Sequence, residues 1–171
     1  MTKNIGLLVI LFILSILYSC RKIWDTGGEG LVINEVMPVN STTVADNYGE
    51  YDDWIELYNL SSSGKDISGY YLSDNNNKRS KWQFPQGTLI AAKGYLIIWA
   101  DDDINQLGLH ANFKLSSAGE VVVLSEADSS KIDKVIFPAQ TLELTYSRVP
   151  NWTGNSGGKP PLLPKQMILN R

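Results

Sequence analysis

From Leu31 onward, apolar and polar positions alternate with a period of two in several short runs of this chain. In Trp54-Ile55-Glu56-Leu57-Tyr58-Asn59, Trp54, Glu56 and Tyr58 point one way and Ile55 and Leu57 the other. That is the signature of a strand with one face in a core. Short runs rich in Val, Ile, Tyr, Trp and Leu recur at 31–37, 66–73, 81–84, 94–100, 112–115, 120–126, 132–137 and 145–149. Between them lie clusters of Gly, Asn, Asp, Ser and Pro, the residues of turns. Alternation is lost in Val121-Val122-Val123-Leu124, as expected of a strand covered on both faces or placed mid-sheet. No stretch after residue 30 carries a sustained 3.6-residue apolar stripe. Nine short strands and no helix predict an all-β sandwich or barrel. The segment 151–171, with Pro160, Pro161, Pro164 and several glycines, reads as an irregular tail draped on the domain through Leu162 and Leu163.

A different pattern occupies the N-terminus. Ile5 to Tyr18 is an apolar run interrupted only by Ser15, preceded by Lys3 and followed by Ser19 and Cys20. A membrane-spanning helix needs about 17 apolar residues or more, whereas a signal-peptide core needs about 7–15. Leu17, Ser19 and Cys20 resemble the lipobox of bacterial lipoproteins. In that family the chain is cut before the cysteine, whose sulfur is then acylated. The alternatives are a plain secretory signal with an incidental cysteine, or an uncleaved anchor. The lipoprotein reading divides the chain into a signal peptide at 1–19 and a lipid-anchored tether at 20–30, made flexible by Gly27, Gly28 and Gly30. It implies a bacterial cell envelope, at the outer membrane or cell surface, with the membrane as a partner through the lipid. One acyl chain holds only marginally, so stable anchoring rests on the two or three chains that such proteins carry.

Composition narrows the rest. Removing residues 1–19 leaves 152 of 171 residues, enough for one domain with a real core. Loss of Lys3 leaves 14 basic against 18 acidic side chains, a net charge of −4. Nucleic-acid binding rests on Lys and Arg, so no nucleic-acid partner is expected. Lys78-Arg79-Ser80-Lys81 reads as a solvated turn. Cys20 is the only cysteine, so no internal disulfide can form.

The order of the segments resembles the lamin tail domain, an immunoglobulin-like β-sandwich. Ile33-Asn34-Glu35-Val36, Asp53 to Asn59 and Asp66 to Asp74 carry the first part of the resemblance. Trp82-Gln83-Phe84-Pro85, Gly87-Thr88, Gly94-Tyr95-Leu96 and Trp99-Ala100 continue it. His110, Asn112 to Leu115, Gly119-Glu120, Ile132-Asp133 and Tyr146-Ser147-Arg148 complete it. It covers about 31–150, which is read as the sandwich domain. Bacterial relatives often sit beside hydrolase or nuclease domains and close with a Pro-Gly-Asn tail; this chain has Pro160-Pro161-Leu162-Leu163 instead.

Several residues in these pieces have a physical reading of their own. Glu35 and Glu56 are expected at strand starts among core-facing residues, with Asn34 and Asn59 bonding neighbouring backbone. Gly69 and Gly94 fit positions needing positive φ. Trp54, Trp82 and Trp99 are core residues or, alternatively, a sugar-stacking platform. Trp24 and Trp152 fall outside the sandwich and are the candidate exposed aromatics for binding.

Candidate chemistry is sparse. His110 is the only histidine, and no Gly-x-Ser-x-Gly accompanies it, so it reads as a structural histidine hydrogen-bonded at a strand start. One His and one Cys make a zinc site improbable. Acidic residues cluster in two loops: Asp46, Glu50, Asp52 and Asp53 in one, Asp101, Asp102 and Asp103 in the other. Calcium takes six to eight oxygen ligands, so Asp46, Asp52, Asp53, Asp101 and Asp103 are candidates if the loops converge; otherwise the loops are simply solvated. No residue is assigned a catalytic role and no cofactor is expected. The expected function is non-enzymatic: a lipid-anchored β-sandwich presented to a protein or glycan partner. Two alternatives stand beside it. One is an accessory module positioning a hydrolase or nuclease at the envelope; the other is a calcium-stabilised envelope structural protein.

Overall fold

A computed structural model describes residues 30–148 and, as backbone, the strand Leu162–Gln166. The signal peptide, Cys20, Trp24 and Trp152 lie outside the described residues, as does the tether up to Gly30. Twelve strands are described: β1 (Leu31–Met37), β2 (Trp54–Asn59), β3 (Lys65–Asp66), β4 (Tyr71–Ser73), β5 (Trp82–Gln83), β6 (Leu89–Ile90), β7 (Tyr95–Ala100), β8 (His110–Ala111), β9 (Gly119–Ser125), β10 (Lys131–Pro138), β11 (Leu144–Arg148) and β12 (Leu162–Gln166). No helix occurs among the described residues.

The strands form a six-stranded sheet in the order β12-β11-β1-β2-β7-β8, a four-stranded sheet in the order β10-β9-β4-β5, and a two-stranded ribbon of β3 and β6. All pairs are antiparallel except β7 with β8. One core lies between the two larger sheets, with Ile33, Val36, Ile55, Leu57 and Ile98 from one side and Leu72, Trp82, Val122, Leu124, Val135 and Phe137 from the other. The expected all-β sandwich is therefore observed. Alternation in β2 is as read from the sequence: Ile55 and Leu57 enter the core, while Trp54, Glu56 and Tyr58 face away. β9 sits between β10 and β4, and both Val122 and Val123 are fully buried, which accounts for its loss of alternation.

The details differ where glycine or a turn intervenes. The run 66–73 is broken at Gly69, whose φ is +78°, into β3 and β4, with Ile67 buried in the turn between. Gly94, also expected at positive φ, has an ordinary φ; the site is instead tight, since a Cβ there would meet Ala91 O at 3.0 Å. The run 112–115 forms no strand of its own; β8 precedes it and Lys114 makes a lone bridge to Asp101. Part of the segment expected to be irregular, Leu162–Gln166, is an edge strand against β11, with Pro164 opposite Tyr146. An edge strand tolerates proline because its outward N–H groups need no partner in the sheet.

Two polar assemblies fix the layers. Asn59 is fully buried. Its Nδ2 donates to Ser63 O (2.9 Å), Ile90 O (3.2 Å) and Ala91 O (2.9 Å), and its Oδ1 accepts from Ser61 N (3.0 Å) and Ser61 Oγ (2.7 Å). It bonds neighbouring backbone as expected, whereas Asn34 Nδ2 donates to a side chain, Glu56 Oε1, at 2.7 Å. Asp133 on β10 reaches across to the bulge between Ile33 and Glu35 in β1. Asp133 Oδ2 accepts from Ile33 N (2.9 Å) and Arg148 Nη2 (3.0 Å), and Arg148 Nε donates to Ile33 O (2.8 Å). Glu35 and Glu56 are register partners and project from the face opposite the core, the face that the alternation of β2 assigns to Glu56.

Candidate functional site

Sheet pairing brings two long loops to one end of the sandwich. Loop 38–53 joins β1 to β2, and loop 101–109 joins β7 to β8. Trp54 is opposite Trp99, and Trp99 is beside His110, so the loop bases are neighbours. Ala100 N donates to Asp53 O at 2.8 Å, which closes the joint. Farther out, Gln106 Nε2 donates to Glu50 Oε2 at 2.5 Å and Leu107 N to Tyr48 Oη at 2.8 Å.

Each loop is shaped by short polar side chains bonding local backbone, the habit that suits Asn and Asp to turns. Asn40 Nδ2 donates to Val44 O (2.6 Å) and Asp52 O (2.8 Å). Asp46 Oδ1 accepts from the amides of Tyr48 and Glu50, each at 2.8 Å. Glu143, from the turn before β11, accepts from Ser41 N (2.7 Å), Ser41 Oγ (2.6 Å) and Thr43 Oγ1. In the second loop Asp101 Oδ1 accepts from Asp103 N at 3.0 Å, and Asp101 Oδ2 lies 2.5 Å from His110 Nδ1. Both side chains of that pair are buried, and Tyr48 meets the imidazole edge-on at 6.3 Å. His110 is thus the hydrogen-bonded histidine at a strand start that the sequence suggested.

The acidic candidates separate into distinct roles. Asp46 and Asp52 come together with Glu50: one carboxylate oxygen of each lies within 4.8 Å of the others. Asp101 is committed to His110 and to the Asp103 amide, and the Asp103 carboxylate to the Asn105 amide of its own loop. Asp53 Oδ2 accepts from Leu115 N at 3.3 Å. Burial pushes the Asp53 carboxyl up to about 7, against the opposing hydrogen bonds from Leu115 and Asn40. Asp52 is also raised, first by burial and then by the carboxylates of Asp101, Glu50 and Asp46.

The same two loops carry exposed apolar side chains. Tyr48 is 51% exposed, Tyr51 47%, Ile104 66% and Leu107 81%. None of the four was among the sequence candidates. Their signal was present: each is an apolar residue set singly in an otherwise polar, turn-rich stretch, Asp46-Asn47-Tyr48-Gly49-Glu50-Tyr51 or Asp103-Ile104-Asn105-Gln106-Leu107. Of the three tryptophans in the sandwich, Trp82 packs in the core, Trp54 is buried on the opposite face and Trp99 is half-buried. None stands out as a stacking platform. Lys78 lies in an exposed turn as expected, while Lys81 pairs with Asp74 at 2.6 Å.

Against known families, the lamin tail domain family matches residues 25–138. Comparison with curated proteins gave no match.

Proposed function

Since the chain belongs to the lamin tail domain family, an immunoglobulin-like β-sandwich, we propose that it is a non-enzymatic recognition module of the bacterial cell surface. A lipid on Cys20 tethers the domain, and the loop end formed by 38–53 and 101–109 meets a protein or glycan partner. The observation that carries this reading is the exposure of Tyr48, Tyr51, Ile104 and Leu107 on loops braced against each other. Loops on a rigid scaffold are where binding residues concentrate. Apolar side chains held out in water by a braced backbone lose little conformational freedom when a partner covers them. Tyrosine suits either kind of partner, because its ring stacks and its hydroxyl bonds.

The test is affinity capture on intact cells with three proteins: the native chain, Cys20→Ala, and a Tyr51→Ala/Leu107→Ala double variant. Release of Cys20→Ala into the soluble fraction is the expected sign of the anchor. Loss of the captured partner with the double variant, at unchanged melting temperature, is the expected sign of the docking end. Full capture by that variant refutes the docking end. Turnover of esters, glycosides or nucleic acids at an enzymatic rate by the purified chain refutes the non-enzymatic reading.

A further inference from the structure

Three carboxylates crowd one corner of the loop end, and their hydrogen bonds account for only part of their oxygens. Asp46 Oδ1 is used by two turn amides and Glu50 Oε2 by Gln106. Asp46, only 9% exposed, keeps Oδ2 shut off from solvent with no hydrogen-bond partner. Asp52 Oδ2 is in the same condition, and so is Gln106 Oε1 on the facing loop. All three orphans are acceptors. Buried acceptors without donors are rare in folded proteins and require an explanation such as an ion. Three carboxylates drawn into one corner sharpen the requirement, because like charges at that spacing repel.

We propose that Asp46, Glu50 and Asp52 hold a calcium ion that ties loop 38–53 to loop 101–109. Gln106, bonded to Glu50 through Nε2, offers a neutral oxygen from the facing loop. The chemistry selects the ion. The ligand set is all oxygen, which suits a hard cation rather than zinc. Calcium–oxygen distances of about 2.3–2.6 Å allow two ligands of one ion to stand roughly 5 Å apart, whereas magnesium at about 2.1 Å allows roughly 4.2 Å. The cluster's oxygens all lie within 4.8 Å of one another, close enough to share one calcium ion, and water would complete the shell. Three carboxylates on an exposed loop match the weak calcium sites of extracellular modules, with Kd of about 10⁻⁴–10⁻³ M. The inference does not rest on the recognition reading; a chain that captures no partner could still bind calcium.

The experiment is thermal unfolding of the full chain in EDTA, in about 5 mM calcium and in about 5 mM magnesium, together with terbium luminescence excited through the nearby tyrosines. Calcium is expected to raise the melting temperature by about 5 °C over EDTA. Magnesium is expected to give less, and terbium to bind saturably and be displaced by calcium. Asp52→Asn is expected to abolish the calcium shift while melting in EDTA at or above the native value, since a repelling charge is gone. Asp46→Asn repeats the test, and Asp52→Asn stands by itself if the other variant folds poorly. A native melting temperature that ignores calcium, without saturable terbium binding, overturns the site. So does a full calcium shift in Asp52→Asn.

Discussion

Removing the carboxylate of Asp133 should cost more stability than removing any surface charge of this protein. Its side chain is 1% exposed, and that of Arg148 4%. Asp133 Oδ2 receives Ile33 N and Arg148 Nη2, and Oδ1 receives Lys134 N at 2.8 Å. Asp133→Ala therefore strips the guanidinium of its facing counter-charge and leaves the Ile33 N–H at the β1 bulge without this acceptor. Breaking a buried pair from one side costs about 3–5 kcal/mol, and an orphaned buried donor about 1–3 kcal/mol. The two penalties overlap at one oxygen, so about 4 kcal/mol is expected. That is a large fraction of a typical domain stability of about 5–15 kcal/mol. Asp133→Asn retains an acceptor for Ile33 N and loses the charge, so about 2–3 kcal/mol is expected. Asp133→Leu/Arg148→Met removes both charges and should recover much of the Asp133→Ala loss, because both desolvation costs vanish together. Urea unfolding with linear extrapolation measures all three. A cost below about 1 kcal/mol for Asp133→Ala, or a double variant no better than the single one, would show that this pair does not hold the layers together.

Asn59→Ala removes a fully buried amide that serves three carbonyls and one serine; a loss of about 3 kcal/mol in urea unfolding is expected, and Asn59→Asp should be worse because its carboxylate would face those carbonyls. Gly119→Ala places a Cβ 2.7 Å from Phe137 O at a φ of +91°, so a loss of about 2 kcal/mol or more is expected by the same measurement. Asp53 gives a pH test. Burial raises its folded carboxyl from 3.8 to about 7, so between those values the folded state binds the extra proton and stability falls as pH rises. Asp53→Asn should therefore raise the melting temperature at pH about 8 and change it little at pH about 4. Equal effects at both pH values would contradict the burial argument.

Local alternation in the sequence determined the strands and the core. Ile55, Leu57, Val122 and Leu124 could be placed because a strand's period of two is a property of the backbone, independent of what lies across from it. The tight turn at Gly69 and the hydrogen-bonded histidine at the start of β8 were legible for the same local reason, since each side chain has one habit that its neighbours allow. The failures share the opposite cause. Gly94 is crowded by Ala91 rather than held at positive φ, and Leu162–Gln166 is a strand because β11 offers it an edge. The acidic loops show both sides most clearly. Clustering along the sequence marked Asp46, Asp52, Asp53, Asp101 and Asp103 alike as candidates, provided the two loops converge. Only the pairing of β2 with β7, and of β7 with β8, separated them. It left Asp46 and Asp52 beside Glu50 and gave Asp101 to His110. It also set Tyr48 and Tyr51 on the same end as Ile104 and Leu107, more than fifty residues away in the chain. A sequence records which side chains seek water, oil or a hydrogen bond; which of them meet depends on long-range strand pairing, which no local pattern encodes.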